Sequence, residues 1–213
     1  FFFFFRFCNL QKFFIFFDGM AFRKKYNIYK DRPTLVHIGR VAHEKNIDFL
    51  LHMLVQLKKR VPNILLIIAG EGPAEQHLKK LSQSLGIQSN VLFVGYLDRE
   101  TSLLDCYCAG DLFIFASRTE TQGLVLLEAM AQGTPTVSIA ALGTNDILST
   151  AKGAIVVDED IYHFSDTVEK LLKDKPLREK LSKEAVNYAR TWSARAFDKK
   201  KELFYQRVIE TYH

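Results

Sequence analysis

The sequence predicts an α/β protein: a Rossmann-like, doubly wound parallel sheet finished by a carboxyl-terminal layer of helices. Three observations carry that expectation. Six short apolar runs alternate with amphipathic stretches between residues 34 and 157, the alternation of strand and crossover helix. One of them, Ile64-Leu-Leu-Ile-Ile-Ala69, is apolar at every position, as a strand covered by helices on both faces must be. From Phe164 to His213 no strand-like run recurs and only amphipathic patterns remain.

Thr34-Leu-Val-His-Ile38 reads as the first strand, stopped at Gly39. Ile47, Leu50, Leu51 and Leu54 then repeat at i, i+3, i+4 and i+7, the apolar stripe of a helix. The second strand is broken by Gly70-Glu-Gly-Pro73; the fixed φ of Pro73 suits a first helical turn, so it is expected to open a helix carrying Leu78 and Leu81. Segments 91–94, 112–115, 136–139 and 154–157 complete the six strands, with helices expected near 99–109, 123–132 and 144–150. Past Phe164 three helices are expected, punctuated by Pro176 and by Trp192-Ser193, with Ser193 capping a last helix that bears Ala196, Phe197 and Leu203.

Hydrophobic residues make up 48% and charged residues 25% of the 213, with only 11 Gly and 5 Pro, which excludes collagen-like and disordered classes and leaves room for one domain, or a domain with an appendage. The net charge of +5 is local: residues 1–30 hold six basic residues against Asp18 alone, whereas residues 31–213 hold 23 of each sign. A neutral body gives no support for nucleic-acid binding. Ten of the 18 phenylalanines fall within residues 1–17. This head is interrupted by Arg6, Asn9, Gln11, Lys12 and Asp18, too often for a spanning helix of ~20 apolar residues, and it lacks the basic start and cleavage site of a signal peptide. Residues 1–22 are therefore set apart as an atypical Phe-rich linker or edge segment, with contact to an anionic membrane surface as the alternative use, and residues 23–213 as the domain. Cys8, Cys106 and Cys108 are an odd number without a secretory signal, which argues against a disulfide framework. Cys106 and Cys108 lie two apart in a helix-like stretch, do not share a face, and are expected to pack and not to bind metal.

In a doubly wound sheet, ligands bind outside the carboxyl ends of the strands. After the fourth strand comes Ser117-Arg-Thr-Glu120-Thr-Gln-Gly123, followed by a helix apolar on nearly every side that nonetheless carries Glu128. A buried carboxylate is costly unless its oxygens are satisfied. Either a ligand with hydroxyl donors satisfies Glu128, or a core Arg pairs with it and Glu120 is a solvated loop residue. The amides of Gly123, Leu124 and Val125 at the helix start offer a place for phosphate oxygens. After the first strand, Arg40 and Lys45 put two cations five residues apart, a fork for phosphate and a point charge. The Gly70-x-Gly72 turn lacks the third glycine of a dinucleotide fingerprint, so no nicotinamide or flavin cofactor is expected.

Gly39-Arg40 with Glu44-Lys45, Ala69-Gly-Glu-Gly-Pro73, Val94-Gly95-Tyr96, Ala109-Gly-Asp111, and Glu120 followed after seven residues by Glu128-Ala-Met-Ala-x-Gly133-x-Pro135 together resemble the C-terminal domain of retaining group 1 (family 4) glycosyltransferases. The resemblance covers about residues 32–205, in the family's order and spacing. It implies one half of a GT-B fold: the half that binds the nucleotide-sugar donor, with the acceptor-binding N-terminal half absent from this chain. Residues 22–28 resemble the segment just after the interdomain linker, and residues 9–13 resemble the linker faintly, unlike the Phe run around them.

The resemblance implies roles. Arg40 and Lys45 would hold the donor diphosphate and stabilise the leaving nucleotide, and Glu120 would bond the transferred hexose. Backbone from Thr121 through Gln122, Gly123, Leu124 and Val125 would contact hexose and phosphate, Glu128 would take the ribose hydroxyls, and backbone at Gly39, Tyr96 and Leu97 would border phosphate and base. Gln122 departs from the aromatic or small residue frequent there, and Glu-Thr-Gln-Gly resembles members that glycosylate lipids. The implied activity is transfer of a hexose, from UDP-glucose or GDP-mannose, to an envelope lipid, lipopolysaccharide or polysaccharide, in the cytoplasm or at the inner membrane face, with the fragment inactive alone. The nucleotide sugar is a substrate, and neither cofactor nor metal is expected. A non-catalytic nucleotide-sugar-binding domain and a sugar-nucleotide epimerase of the same architecture are the alternatives. Asp158-Glu159-Asp160 imitates an Asp-x-Asp metal site but reads as a solvated acidic turn, and the six histidines show no ligand spacing along the chain, His43 being the one in the donor loop.

Overall fold

The apolar runs pair as a six-stranded sheet. In the computed structural model, which describes residues 18–120, 123–139, 147–148 and 152–192, the strands are β1 (Thr34–Ile38), β2 (Leu65–Ala69), β3 (Val91–Gly95), β4 (Leu112–Phe115), β5 (Thr136–Ile139) and β6 (Ala154–Val157). They lie in the order β3-β2-β1-β4-β5-β6, and every neighbouring pair is parallel. This is the doubly wound order, in which the chain leaves β1 to build one half of the sheet and returns to its other edge with β4. The strands coincide with those expected from sequence to within one residue at an end; β1, β2, β4 and β5 are buried at every position, while β3 and β6, at the two edges of the sheet, are only partly buried.

The pleat divides the core in two. Val36, Ile38, Leu65, Ile67, Phe113 and Phe115 point to one face, where they meet α1 (Gly19–Lys25), α4 (Ser102–Ala109), α5 (Leu124–Ala131) and the later part of α7 (Lys175–Thr191). Leu35, Leu66, Ile68, Leu112 and Ile114 point to the other, under α2 (Ile47–Lys58), α3 (Glu75–Ser84) and α6 (Ile161–Lys173). The period-two alternation of a strand thus supplies two cores from one set of residues. The helical tail divides likewise: α6 packs beside α2, whereas α7 packs against α5. Pro176 stands in the first turn of α7, where its missing N–H costs nothing, and Asp174 caps that helix by accepting from Leu177 N.

Two helix starts differ from the sequence expectation. Pro73 does not open α3; it precedes the cap residue Ala74, because the amide of Ala74 donates to Val41 O at 3.0 Å and that of Glu75 to Gly72 O at 3.2 Å, which holds the turn one step longer. The helix expected from residue 99 begins at Ser102, because Asp98 accepts from the backbone amides of Glu100 and Thr101 and from both the amide and the hydroxyl of Ser102. These donors, Ser102 foremost, hold the Asp98 carboxyl well below the usual carboxylate range. Only Ile147 and Leu148 of the helix expected at 144–150 are described, and the helix expected after Ser193 lies outside the described residues.

The amino-terminal edge of the sheet is fastened by one arginine. Arg23, on α1 and 7% exposed, donates from Nε to Ala109 O at 2.9 Å and from Nη1 to the carbonyls of Tyr29, Lys30 and Arg32, while Nη2 lies 3.4 Å from Asp111 Oδ2. Asp111 also accepts from the amide of Thr34, the first residue of β1. Arg23 therefore ties α1, the lead-in to β1 and the lead-in to β4 together. Asp18 caps α1 through Met20 N and Ala21 N, and Phe22 enters the core, so this helix runs across the boundary drawn between residues 22 and 23 from sequence.

Within β1, His37 is fully buried against Phe115, its Nδ1 3.2 Å from Ile114 O and its Nε2 without a partner among the described residues. Burial pushes the imidazole pKa down to about 4, with Lys45 adding in the same direction. Unfolded, the ring binds a proton near pH 6.5, so between those values the unfolded chain is the more protonated and stability rises with pH. Two outcomes are expected in urea unfolding. Arg23→Ala lowers stability by about 3 kcal/mol, because it strips the donor from one buried and three part-buried carbonyls at once. His37→Leu removes a part of the wild type's acid sensitivity amounting to about 3 kcal/mol between pH 6.5 and 4; equal pH slopes for wild type and variant would refute the assignment.

Candidate functional site

The sheet order reverses beside β1, and the loops leaving β1 and β4 part there: α2, which follows β1, covers one face, and α5, which follows β4, covers the other. At that point lies a cleft of about 350 Å³. Its lining includes Gly39 and Arg40 after β1, Tyr96 and Leu97 after β3, and Val125 and Glu128 on α5, six residues singled out from sequence. The structure adds Glu71, after β2, and Arg99, neither of which the sequence reading had used.

Close approach of backbones shapes the cleft floor. Gly39 N donates to Ala69 O, Val41 N to Glu71 O and Gly70 N to Gly95 O, stitching the exits of β1, β2 and β3 side by side. Gly70 has φ +129, and a Cβ there would lie 1.9 Å from Gly39 O, so only glycine fits. The double-glycine turn read from sequence as a place of close approach is thus occupied by a neighbouring loop's backbone.

Lys45 and Glu120, the predicted cation and hexose ligand, lie together: Nζ is 2.9 Å from Oε2, both side chains being less than a fifth exposed. Glu120 Oε1 accepts from Gly123 N at 3.2 Å. Gly123 is the cap of α5 and not its first residue, in a left-handed conformation with φ +59 that glycine adopts without strain. Its amide is accordingly engaged by Glu120, while Leu124 and Val125 precede the first intrahelical donor, Leu126 N. Thr121 and Gln122 lie outside the described residues. Arg40 points to solvent, 4.0 Å from Glu44, its side chain 67% exposed.

Glu128 is 1% exposed on a helix otherwise apolar. The sequence left open whether a ligand or a core arginine satisfies it, and the structure shows an arrangement between the two. Arg99, itself mostly exposed, donates to Oε1 at 2.9 Å, and the buried Tyr107 hydroxyl donates to Oε2 at 3.0 Å. Burial, reinforced by the Glu128 charge, raises the Tyr107 pKa, so the phenol keeps the proton it donates. Glu128 also lines the cleft, so the carboxylate held by these two donors stands at its wall. Tyr107 and Arg99 were missed because they stand 21 and 29 residues from Glu128 on α4 and its lead-in, a separation invisible to local spacing.

The acidic turn 158–160 acts structurally: Glu159 takes a bidentate bond from Arg118 and one from Asn46, and Asp160 caps α6 through His163 N. Arg118 holds the Glu159 carboxyl below its usual range. Cys106 is buried, which pushes its thiol pKa far up, and Cys108 Sγ lies 3.4 Å from Gln132 Oε1; both pack. Two of the histidines, His43 and His77, 34 apart in sequence, come together with Asp48 in space.

The chain matches the family model of glycosyl transferases group 1 over residues 20–188. It is 32% identical over 165 residues to alpha-D-kanosaminyltransferase of Streptomyces kanamyceticus, covering 77% of this chain and 42% of that protein. It is 38% identical over 128 residues to alpha-monoglucosyldiacylglycerol synthase of Streptococcus pneumoniae, covering 60% and 29%. Among solved structures, HepE of Anabaena, crystallised with UDP and glucose, superposes with a TM-score of 0.74 at 19% identity over 91% of this chain and 51% of its own, a likeness of fold. The chain spans less than half the length of these two curated relatives. No helix among the described residues is long and apolar enough to cross a membrane. With the 3-2-1-4-5-6 parallel sheet, the cleft at its switch point and the two glutamates on the β4 to α5 segment, the match over most of the chain shows that this protein belongs to the group 1 glycosyl transferases, as one half of a GT-B fold.

Proposed function

We propose that this chain is the donor-binding domain of a retaining hexosyltransferase that takes its sugar from a nucleoside diphosphate. The observation that carries the reading is the convergence at one cleft of the buried carboxylate Glu128, the first turn of α5 at Val125 and the guanidinium groups of Arg40 and Arg99, with the Lys45–Glu120 pair on the same β1 and β4 loops but outside the cleft lining. Each part suits a piece of such a donor. Glu128, on the cleft lining, suits the hydroxyls of a vicinal diol, the ribose. Leu124 and Val125 offer amides to phosphate oxygens. Arg40 and Lys45 supply positive charge where negative charge grows as the bond between the anomeric carbon and the diphosphate breaks. Glu120, held by Lys45 and Gly123 N, is positioned to accept from hexose hydroxyls.

The Lys45–Glu120 pair gives the mechanism an electrostatic logic. Without a donor the ammonium is neutralised by the carboxylate; a diphosphate brings more charge than Glu120 and competes for the same cation, freeing carboxylate lone pairs for the sugar. The acceptor belongs to the partner domain of the two-domain architecture, and the proposed acceptor is an envelope lipid, lipopolysaccharide or polysaccharide met in the cytoplasm or at the inner membrane face. The lipid product in the name of the S. pneumoniae relative and the Glu-Thr-Gln-Gly segment support that choice. No cofactor is proposed; the nucleotide sugar is consumed as substrate.

Calorimetry of the chain with UDP, GDP and ADP tests the site. One nucleoside diphosphate is expected to bind, with Glu128→Ala weakening it at least about tenfold, about 1.4 kcal/mol, and Tyr107→Phe weakening it less, since Arg99 still orients the carboxylate. Circular dichroism establishes that each variant is folded. Binding of none of the three, or binding indifferent to Glu128→Ala, overturns the assignment.

A further inference from the structure

We propose that His43, Asp48 and His77 form a binding site for a borderline divalent transition-metal ion, Zn²⁺ foremost, where the loop after β1 meets the first turns of α2 and α3. One ligand atom from each of the three lies within 4.8 Å of the others. His77 Nε2 is 2.5 Å from Asp48 Oδ1, and the rings of His43 and His77 stand 5.3 Å apart, centre to centre. The three come from three different elements: His43 opens the 3-10 turn His43–Lys45, Asp48 lies in the first turn of α2, and His77 lies in the first turn of α3. What unites them is the backbone stitching of the β1 and β2 exits, in which Val41 N donates to Glu71 O and Val41 O accepts from Ala74 N.

The chemistry selects the ion. Two imidazoles and one carboxylate make a nitrogen-rich set that suits Zn²⁺, Ni²⁺ or Cu²⁺; Mg²⁺ and Ca²⁺ ask for oxygen ligands and more of them. Ligands 2.0–2.1 Å from a tetrahedral Zn²⁺ stand about 3.4 Å from one another, a spacing that exposed rings reach by side-chain rotation. His43 and His77 are exposed and Asp48 half-buried, so water has access to the remaining coordination position. An ion there fastens the donor loop to α2 and α3, with Arg40 three residues before His43 and Lys45 two after it. The competing arrangement is a simple ion pair between protonated His77 and Asp48, with His43 a bystander.

The test uses the full chain and Zn²⁺ alone, titrated in competition with a chromogenic chelator. The expected result is one site of high affinity, weakened at least about tenfold by His43→Ala and, separately, by His77→Ala, since each removes one of three ligands. His52→Ala, an exposed histidine on α2 outside the cluster, is expected to leave the affinity unchanged. Circular dichroism checks that the variants keep the fold. Zinc binding indifferent to both substitutions, or lost with His77→Ala but not with His43→Ala, overturns the three-ligand site, as does a wild-type chain that fails to compete with the chelator. None of these readouts involves a nucleotide, so failure here leaves the donor site untouched.

Discussion

Everything in this domain depends on where the parallel sheet reverses its order. A parallel strand can be reached only by a crossover, and crossovers of one hand place successive helices on one face. By leaving β1 toward β2 and coming back beside β1 with β4, the chain puts α2 on one face and α5 on the other. Their loops cannot close over the carboxyl ends of β1 and β4, and the opening left between them is the cleft. Its polar lining follows from the same geometry: loops end there, strands offer their last carbonyls there, and α5 presents its first amides.

Charge in and around the cleft is arranged in near-neutral pairs. Lys45 faces Glu120, Arg99 faces Glu128 and Arg40 stands near Glu44. The three differ in burial, and burial decides what each can do. The Arg40–Glu44 pair is exposed and too long to contribute much, so Arg40 can swing to a ligand at little cost. The Lys45–Glu120 pair is largely shielded and short, so its cation is held in place and not merely nearby. Glu128 is buried outright and must stay satisfied, which it does through Tyr107 from inside the protein and Arg99 from the rim. One side of that carboxylate faces the protein interior and the other the cleft.

The strands were legible because the physics that forms them is local: a strand covered on both faces needs apolar residues at every position, and 64–69 shows that directly. Helix starts were less so. Pro73 suits a first turn, yet α3 begins two residues later because Val41, on a different strand exit, accepts from Ala74. The site followed the same division. Arg40, Lys45, Glu120 and Glu128 could be named from motif and position, but the partners that satisfy Glu128 could not, since Tyr107 and Arg99 reach it through the tertiary fold. Spacing along the chain hid the meeting of His43 and His77 for the same reason: β2 lies between them. Arg23 was counted as part of a basic head, although its charge is consumed by carbonyls and Asp111.

The contrast between Arg23 and Arg40 separates what holds the domain from what works in it. Both are arginines beside strand ends, at opposite edges of one sheet. Arg23 sits at the amino edge, where strands begin, and spends its donors on the carbonyls of Ala109, Tyr29, Lys30 and Arg32 and on Asp111. Removing it would leave acceptors without donors in a place water reaches poorly, so its role is stability. Arg40 sits at the carboxyl edge, mostly in water, with one distant carboxylate, and its removal would leave no buried group unsatisfied. Its guanidinium instead belongs to the lining of the cleft, beside the backbone of Gly39 and Gly70 and the first turn of α5 at Val125. The edge where the strands begin is tied down by Arg23 and Asp111, whereas the edge where they end carries the cleft, so the structural guanidinium and the exposed one fall at opposite ends of the strands.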